Sequence, residues 1–509
     1  MTFKKVLLFI IAIASLSNCK SEEAKNLENP INYKCLPCNL ACDTIIFDKG
    51  GICPHCKMKL IPMSEKTSLI KLIEYEGKYE YDGESTISII ASKLDTTLYA
   101  IVDNAKYPLT YISNNTFTNM LDQVIVFQRD KNEEVISYKV SNEIFKLLTK
   151  DFERMEMLPR KKLFQHSEKY MYQQPEKLND GLEVGNLNEV FKNDEPIIEM
   201  IRKTIDGDYP NVHSVLIYKN NKLVLEEYFY GHNKNIPHQL RSATKSFIGG
   251  IVGIAVDKGF IESEKDKLLP YFKSRYPEIN NLNNRKKSLT IENFLMYRHG
   301  LDCEDSNRES KGNEMAMMES EDWVKYTLDL PMISEPGTSS SYCTGCALTL
   351  GSLVEITTKS NIEDFARKHL FLPLEISNYN WIFEPNKVSM TNFSQLKLTS
   401  RDLIKLAKMH KDGGKWKGKQ IISENWINKT FGMEDGDYGY LWQEKYFEIN
   451  GMIYSSYQAS GNGGQKINIW PELDMITVFT GGNYNSYQLY GKSTPPNEMI
   501  PNYILKATE

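Results

Sequence analysis

Arg241-Ser242-Ala243-Thr244-Lys245-Ser246-Phe247-Ile248-Gly249-Gly250-Ile251-Val252-Gly253-Ile254-Ala255 is the stretch on which the fold turns. Ile248, Ile251, Val252, Ile254 and Ala255 recur at the spacing of a buried helix. Ser242 and Lys245 stand three apart at its start, so on a helix they share a face. The positive end of that helix favours negative charge developing on the serine. A serine hydroxyl is a poor nucleophile at neutral pH and needs a base beside it, a task that a desolvated lysine of lowered pKa can perform. Read without chemistry, the same tetrad is a helix start with serine as its cap and lysine in water. The spacing alone decides nothing, because Ser17, Ser68 and Ser394 open Ser-x-x-Lys tetrads too. Ser17 falls in an N-terminal apolar segment, Ser68 at the start of a β-rich stretch and Ser394 in polar sequence, which leaves Ser242.

Around this helix the chain alternates strands and helices. Val212 to Tyr218 and Leu223 to Tyr230, split by Lys219 to Lys222 with two Asn at its centre, read as a hairpin. Ile467 to Trp470 and Met475 to Thr480, split by Pro471 to Asp474, read as another. No Gly-x-Ser-x-Gly elbow is present, which disfavours an α/β-hydrolase.

Farther out, Pro336-Gly337-Thr338 leads to Ser341-Tyr342-Cys343-Thr344-Gly345 and Leu350-Gly351, preceded by Leu289-Thr290-Ile291, Leu295 and His299-Gly300-Leu301-Asp302. Ser400-Arg401-Asp402-Leu403, Gly413-Gly414, Trp416 and Ile422 to Trp426 follow, and Gly461-Asn462-Gly463-Gly464-Gln465 stands near the C-terminus. In this order, over some 320 residues, the segments resemble the class C β-lactamase-related family of the β-lactamase and penicillin-binding superfamily. The resemblance implies an antiparallel sheet flanked by helices plus an all-helical subdomain. It assigns Ser242 as the acylated nucleophile, Lys245 as its base and Tyr342 as the phenol completing the proton relay. Gln465, Asn462, Gly463, Gly464 and Thr344 then line the substrate site, with the backbone N–H groups of Ser242 and Gln465 as the oxyanion hole.

Two departures bear on substrate. Thr344 stands where the family commonly has Asn, and the third motif offers neutral Asn462 in place of a cation. Losing the cation weakens recognition of a carboxylate such as that of penicillins, because a charge-assisted hydrogen bond has about twice the strength of a neutral one. The expectation is therefore ester or amide cleavage on small substrates. A D-amino-acid carboxypeptidase or β-lactamase acting on peptidoglycan-like substrates is the alternative, and a catalytically silent metal- or peptidoglycan-binding envelope lipoprotein is a second. Lone His299 reads as structural, and Cys343 as a small packing residue. Tyr438-Gly439-Tyr440-Leu441-Trp442 reads as mostly core near the cleft.

Upstream of about residue 180 the chain changes character. Lys4 and Lys5, an apolar run from Val6 to Leu16, then Ser17-Asn18-Cys19 outline a secretory signal. Leu16-Ser17-Asn18-Cys19 resembles a bacterial lipobox, which implies lipidation at Cys19 and an exported lipoprotein anchored to the cell envelope. Five of nine cysteines lie between Cys35 and Cys56. Cys35/Cys38 and Cys53/Cys56 have the knuckle spacing that presents four thiolates to zinc, with disulfides as the rival in an oxidising compartment. Cys53-Pro54-His55-Cys56-Lys57-Met58 and Leu60-Ile61-Pro62 resemble the heavy-metal-binding domain found beside bacterial metal transporters. Lys57 replaces that family's usual Gly, and Cys38 its frequent His, so zinc and a softer ion such as copper both stay open.

The expected organisation is multidomain: signal 1–18, tether 19–32, Cys-rich metal knuckle 33–64, small antiparallel β module 67–151, linker 152–180 and hydrolase 181–507. The β module resembles the accessory domain often fused to such hydrolases. A hydrophobic content of 41% and a charged content of 25% suit a globular protein. A net charge of −5 gives no basic field, so nucleic acid is not the expected partner. Catalysis in this family needs no cofactor; the expected partners are a small ester, amide or peptide substrate and, through the anchor, a membrane.

Overall fold

The computed structural model describes residues 32–34, 45–55, 60–62, 69–81, 85–91, 97–102, 105–119, 123–140 and 143–151. From 167 to 508 it describes all but 207, 210, 308, 388–393, 433–437 and 484–493. Two compact units emerge, one of the described residues up to Asp151 and one of those from Ser167 onward. Among the described residues no helix is long and apolar enough to cross a membrane. The signal and Cys19 lie outside the described residues.

In the first unit, Ile46–Phe47, Tyr33–Lys34 and Ile61–Pro62 form a three-stranded antiparallel sheet with Tyr33–Lys34 central. The β-rich run closes into an eight-stranded antiparallel barrel, Gly77–Tyr81 through Glu143–Thr149. Closure satisfies every strand edge. Alternating side chains fill the interior with aromatic rings: Tyr79, Phe117, Phe127, Tyr138 and Phe145 are all buried, and Tyr138 stacks on Phe145 at 4.6 Å.

The second unit is built on a six-stranded antiparallel sheet in the order Lys222–Tyr228, Val212–Lys219, Met475–Gly481, Gln465–Trp470, Met452–Gly461, Gln443–Ile449. The first and last portions of this unit are thus neighbours, Val212–Lys219 pairing with Met475–Gly481. The period of two along the strands covers both faces. Val215, Ile217 and Phe479 pack with Ile197 and Ile201 of the amphipathic Glu195–Asp206 helix and with Ile500 and Ile504 of the C-terminal segment. Ser214 points to the other face and bonds both Thr480 and Ser400, the first residue of the Ser400–Lys411 helix.

Thr244–Asp257 is a helix buried from Thr244 through Ala255. Such all-round burial is what an all-round apolar helix requires. Gly249 and Gly253 let Tyr440 and Trp426 approach its backbone; a Cβ on Gly253 would stand 2.5 Å from the Trp426 indole.

Residues expected as a linker up to 180 belong in part to this unit. Tyr170 donates to Glu227 at 2.6 Å, Tyr172 to the Val224 carbonyl at 2.8 Å, and Arg401 binds Asp180, Glu226 and the Glu176 carbonyl. Two half-buried tyrosines and an arginine nearly sealed from solvent fasten a stretch whose polar composition read as solvated.

Candidate active site

Ser242 lies in a short 3₁₀ turn, Arg241–Ala243, directly before the buried helix. Such a turn eclipses residues three apart, and Lys245 Nζ donates to Ser242 Oγ at 2.8 Å. Arg241 takes a φ of 52°, the left-handed region that costs a non-glycine residue about 1–2 kcal/mol. That strained step turns the chain from the His238–Gln239 strand into the helix and sets the serine at its tip.

Lys245 is 7% exposed. Burial holds its ammonium below the usual lysine range, against an opposing pull from the carboxylates of Glu314 and Asp305. A lysine so placed is neutral in a larger fraction than an exposed one and can accept a proton. Of the other tetrads, Ser394 is buried with its hydroxyl accepting from the Glu384 N–H, while Ser17 and Ser68 lie outside the described residues.

Tyr342 brings its ring under Lys245, with Nζ 5.1 Å from the ring centroid. Tyr297 and Tyr438 pack on it at 5.1 and 5.8 Å, so Tyr438 joins the site while Tyr440 and Trp442 are core. The Tyr342 loop is gripped by residues 303–305. Cys303 forms a disulfide with Cys343, which corrects the reading of Cys343 as a mere packing residue. Glu304 accepts from Ser341 Oγ at 2.8 Å and from Tyr342 N at 3.2 Å, and Asp305 N donates to the Tyr342 carbonyl at 2.9 Å. His299 is buried and bonds the Ser341 carbonyl and Leu301 N; burial lowers its pKa to about 4.

Thr344 stands beside this clamp. Both Asp305 oxygens accept its N–H, at 2.9 and 3.0 Å, and cap the Thr344–Thr358 helix. Its hydroxyl is spent on Asp305 at 2.5 Å and Glu314 at 3.3 Å rather than offered to a ligand. Burial, then the neighbouring Glu314, raises the Asp305 carboxyl above its ordinary range, although Lys245 and Thr344 pull the other way. Sequence reasoning missed Asp305, Glu314 and Glu304. The one available signal was the acidic run around Cys303, which carries no distinguishing periodicity.

The Gly-rich turn joins Met452–Gly461 to Gln465–Trp470. Gly463 and Gly464 take φ of 96° and 98°, which only glycine adopts cheaply. Gly461 packs against the backbone leading to Ser242: a Cβ there would stand 2.1 Å from the Leu240 carbonyl oxygen. The buried Gln465 side chain donates to the carbonyls of Asn462, at 3.1 Å, and Gly481, at 2.7 Å, bracing the turn. The nearest cation on these strands, Lys466, pairs with Ser460 and is one residue out of phase with Gly461. It therefore projects from the opposite sheet face, bonded to Gln458 and Ser460.

Of the four cysteines expected to hold metal, Cys53 is described and buried. Cys35, Cys38 and Cys56 lie outside the described residues.

Residues 201–481 match the family model described as Beta-lactamase, and residues 37–63 match the heavy metal binding domain. No curated protein matches the chain. Among solved structures, a penicillin binding protein from Bacillus halodurans is 15% identical over 59% of this chain and 99% of its own, with a TM-score of 0.46. The octameric penicillin-binding protein homologue from Pyrococcus abyssi is 17% identical over 61% of this chain and 76% of its own, with a TM-score of 0.46. EstCE1, a hydrolase with promiscuous acyltransferase activity, is 12% identical over 62% and 99%, with a TM-score of 0.48.

Proposed function

The chain belongs to the beta-lactamase family, and we propose that it is a serine hydrolase that forms an acyl-enzyme on Ser242 and cleaves ester or amide bonds of small substrates. The observation that carries this is the 2.8 Å contact of buried Lys245 Nζ with Ser242 Oγ. Neutral Lys245 takes the Ser242 proton as Oγ attacks the carbonyl carbon. The proton passes, by way of the Tyr342 phenol, to the leaving oxygen or nitrogen. Water then attacks the acyl ester with Lys245 again as base, releasing the acid and restoring Ser242. The developing oxyanion is met by the Ser242 N–H and a donor from the turn ending at Gln465, whose Gly461 edge lies beside Leu240.

Electrostatics favour neutral substrates. Asp305 and Glu314 are close enough to act on Lys245, and the nearest strand cation faces away. A carboxylate such as that of penicillin meets the charge of Asp305 and Glu314 there, without the third-motif cation that Asn462 replaces.

Reaction with a fluorophosphonate probe and with a fluorescent penicillin tests the proposal. Probe labelling that disappears in Ser242→Ala, with ester turnover, is the expected result. Penicillin labelling in place of ester turnover selects the peptidoglycan reading, and no labelling by either leaves the silent lipoprotein.

We also propose export and anchoring through Cys19. The buried Cys303–Cys343 disulfide supports an oxidising compartment. Incorporation of labelled palmitate that vanishes in Cys19→Ala tests the anchor. For the N-terminal domain we propose one zinc or softer ion held by Cys35, Cys38, Cys53 and Cys56. Metal analysis of residues 21–66 tests it, and absent metal with no free thiols means disulfides.

A further inference from the structure

Three of the eight histidines converge outside the Ser242 site. His213 opens the Val212–Lys219 strand, His232 lies in the loop after the Lys222–Tyr228 strand, and His238 lies in the His238–Gln239 strand. One ring nitrogen from each falls within 4.8 Å of the others. His213 Nδ1 and His238 Nε2 are 2.8 Å apart. His238 Nδ1 lies 3.1 Å from the Gln239 carbonyl oxygen. That bond places the proton on Nδ1 and leaves the Nε2 lone pair facing the cluster, the outer contact that metal-bound histidines typically make.

We propose that His213, His232 and His238 form a three-histidine binding site for a divalent first-row transition ion, with zinc as its representative and water completing the coordination. Imidazoles without thiolate suit zinc, copper(II) or nickel. Burial disfavours the charged form of His232 and His238. Zinc–nitrogen bonds of about 2.0–2.1 Å put tetrahedral ligand atoms roughly 3.3 Å apart. The His213–His238 pair therefore opens by about half an ångström on binding. His232 stacks on His213 with centroids 4.1 Å apart and planes at 15°, so its ring must rotate to aim a nitrogen at the ion. Among the described residues no hydrogen bond restrains that ring.

Arg241 and Lys397 both act on His238 from nearby, and their charge opposes a cation there. The His213 ring edge packs on Gly482, where a Cβ would stand 2.6 Å from Cε1. The ion would tie this end of the sheet to the segment that runs from His238 into Ser242.

The test is zinc content of the full-length chain after loading and dialysis. His232→Ala is expected to lose one equivalent relative to the parent, and so is His213→Asn. A second arm uses the chain with Cys35, Cys38, Cys53 and Cys56 all changed to Ser, which is expected to retain one equivalent and to show a cobalt spectrum with ligand-field bands but no thiolate charge transfer. Unchanged zinc content in both histidine variants overturns the proposal. So does a four-serine chain that folds by near-UV circular dichroism yet holds no zinc.

Discussion

Lys245 is poised between two opposing fields, and its protonation sets the rate at which Ser242 can react. Burial lowers its pKa, while Glu314 and Asp305 raise it. The rate of fluorophosphonate labelling should therefore rise with pH and reach its midpoint below the ordinary lysine value of 10.5. Asp305→Asn removes one raising charge, so the midpoint moves to lower pH; a midpoint that stays or moves up contradicts the coupling. Asp305 has its own signature in stability. Its folded pKa is raised, so its contribution is fully present below the unfolded value, about 3.9, and is lost as pH rises through the folded value. The melting temperature of Asp305→Asn minus that of the parent should thus grow from acid toward neutral pH, and a constant difference would refute it.

At the level of elements, the helix behind Ser242 and the loop that carries Tyr342 are held by different means. The helix is held by packing. Gly253→Ala drives a methyl into the rigid, buried Trp426 indole and should cost about 1–3 kcal/mol in urea unfolding, despite alanine's better helix propensity. The loop is held covalently. The Cys303–Cys343 bridge spans a sequence separation of 40, for which chain entropy gives roughly 4 kcal/mol at most. Cys343→Ser should lower stability by about 2–4 kcal/mol and slow probe labelling by loosening Tyr342. If labelling is unaffected, the clamp of Glu304 and Asp305 holds that loop without the disulfide.

On the scale of the whole molecule, the unit from Ser167 onward has its own sheet and core. A chain beginning at residue 167 should therefore fold and label with the probe at close to the parent rate; loss of labelling would mean that the earlier unit completes the site. Beginning instead at residue 181 removes Tyr170, Tyr172 and Asp180 with their bonds to Glu227, Val224 and Arg401 and should lower the melting temperature measurably.

The features legible along the chain are local or carried by motif order. The apolar repeat after Ser242 singled out its tetrad from three others, because helix geometry is written at spacings of three and four residues. Motif order then pointed to Tyr342 and the Gly-rich turn. The remaining features come from contacts distant in sequence. Asp305 and Glu314 meet at Thr344 from 39 and 30 residues away, Cys303 reaches Cys343 across 40, and a strand start, a loop and a strand of another sheet bring His213, His232 and His238 together. These meetings depend on strand register and loop closure, which leave no periodic trace in the chain.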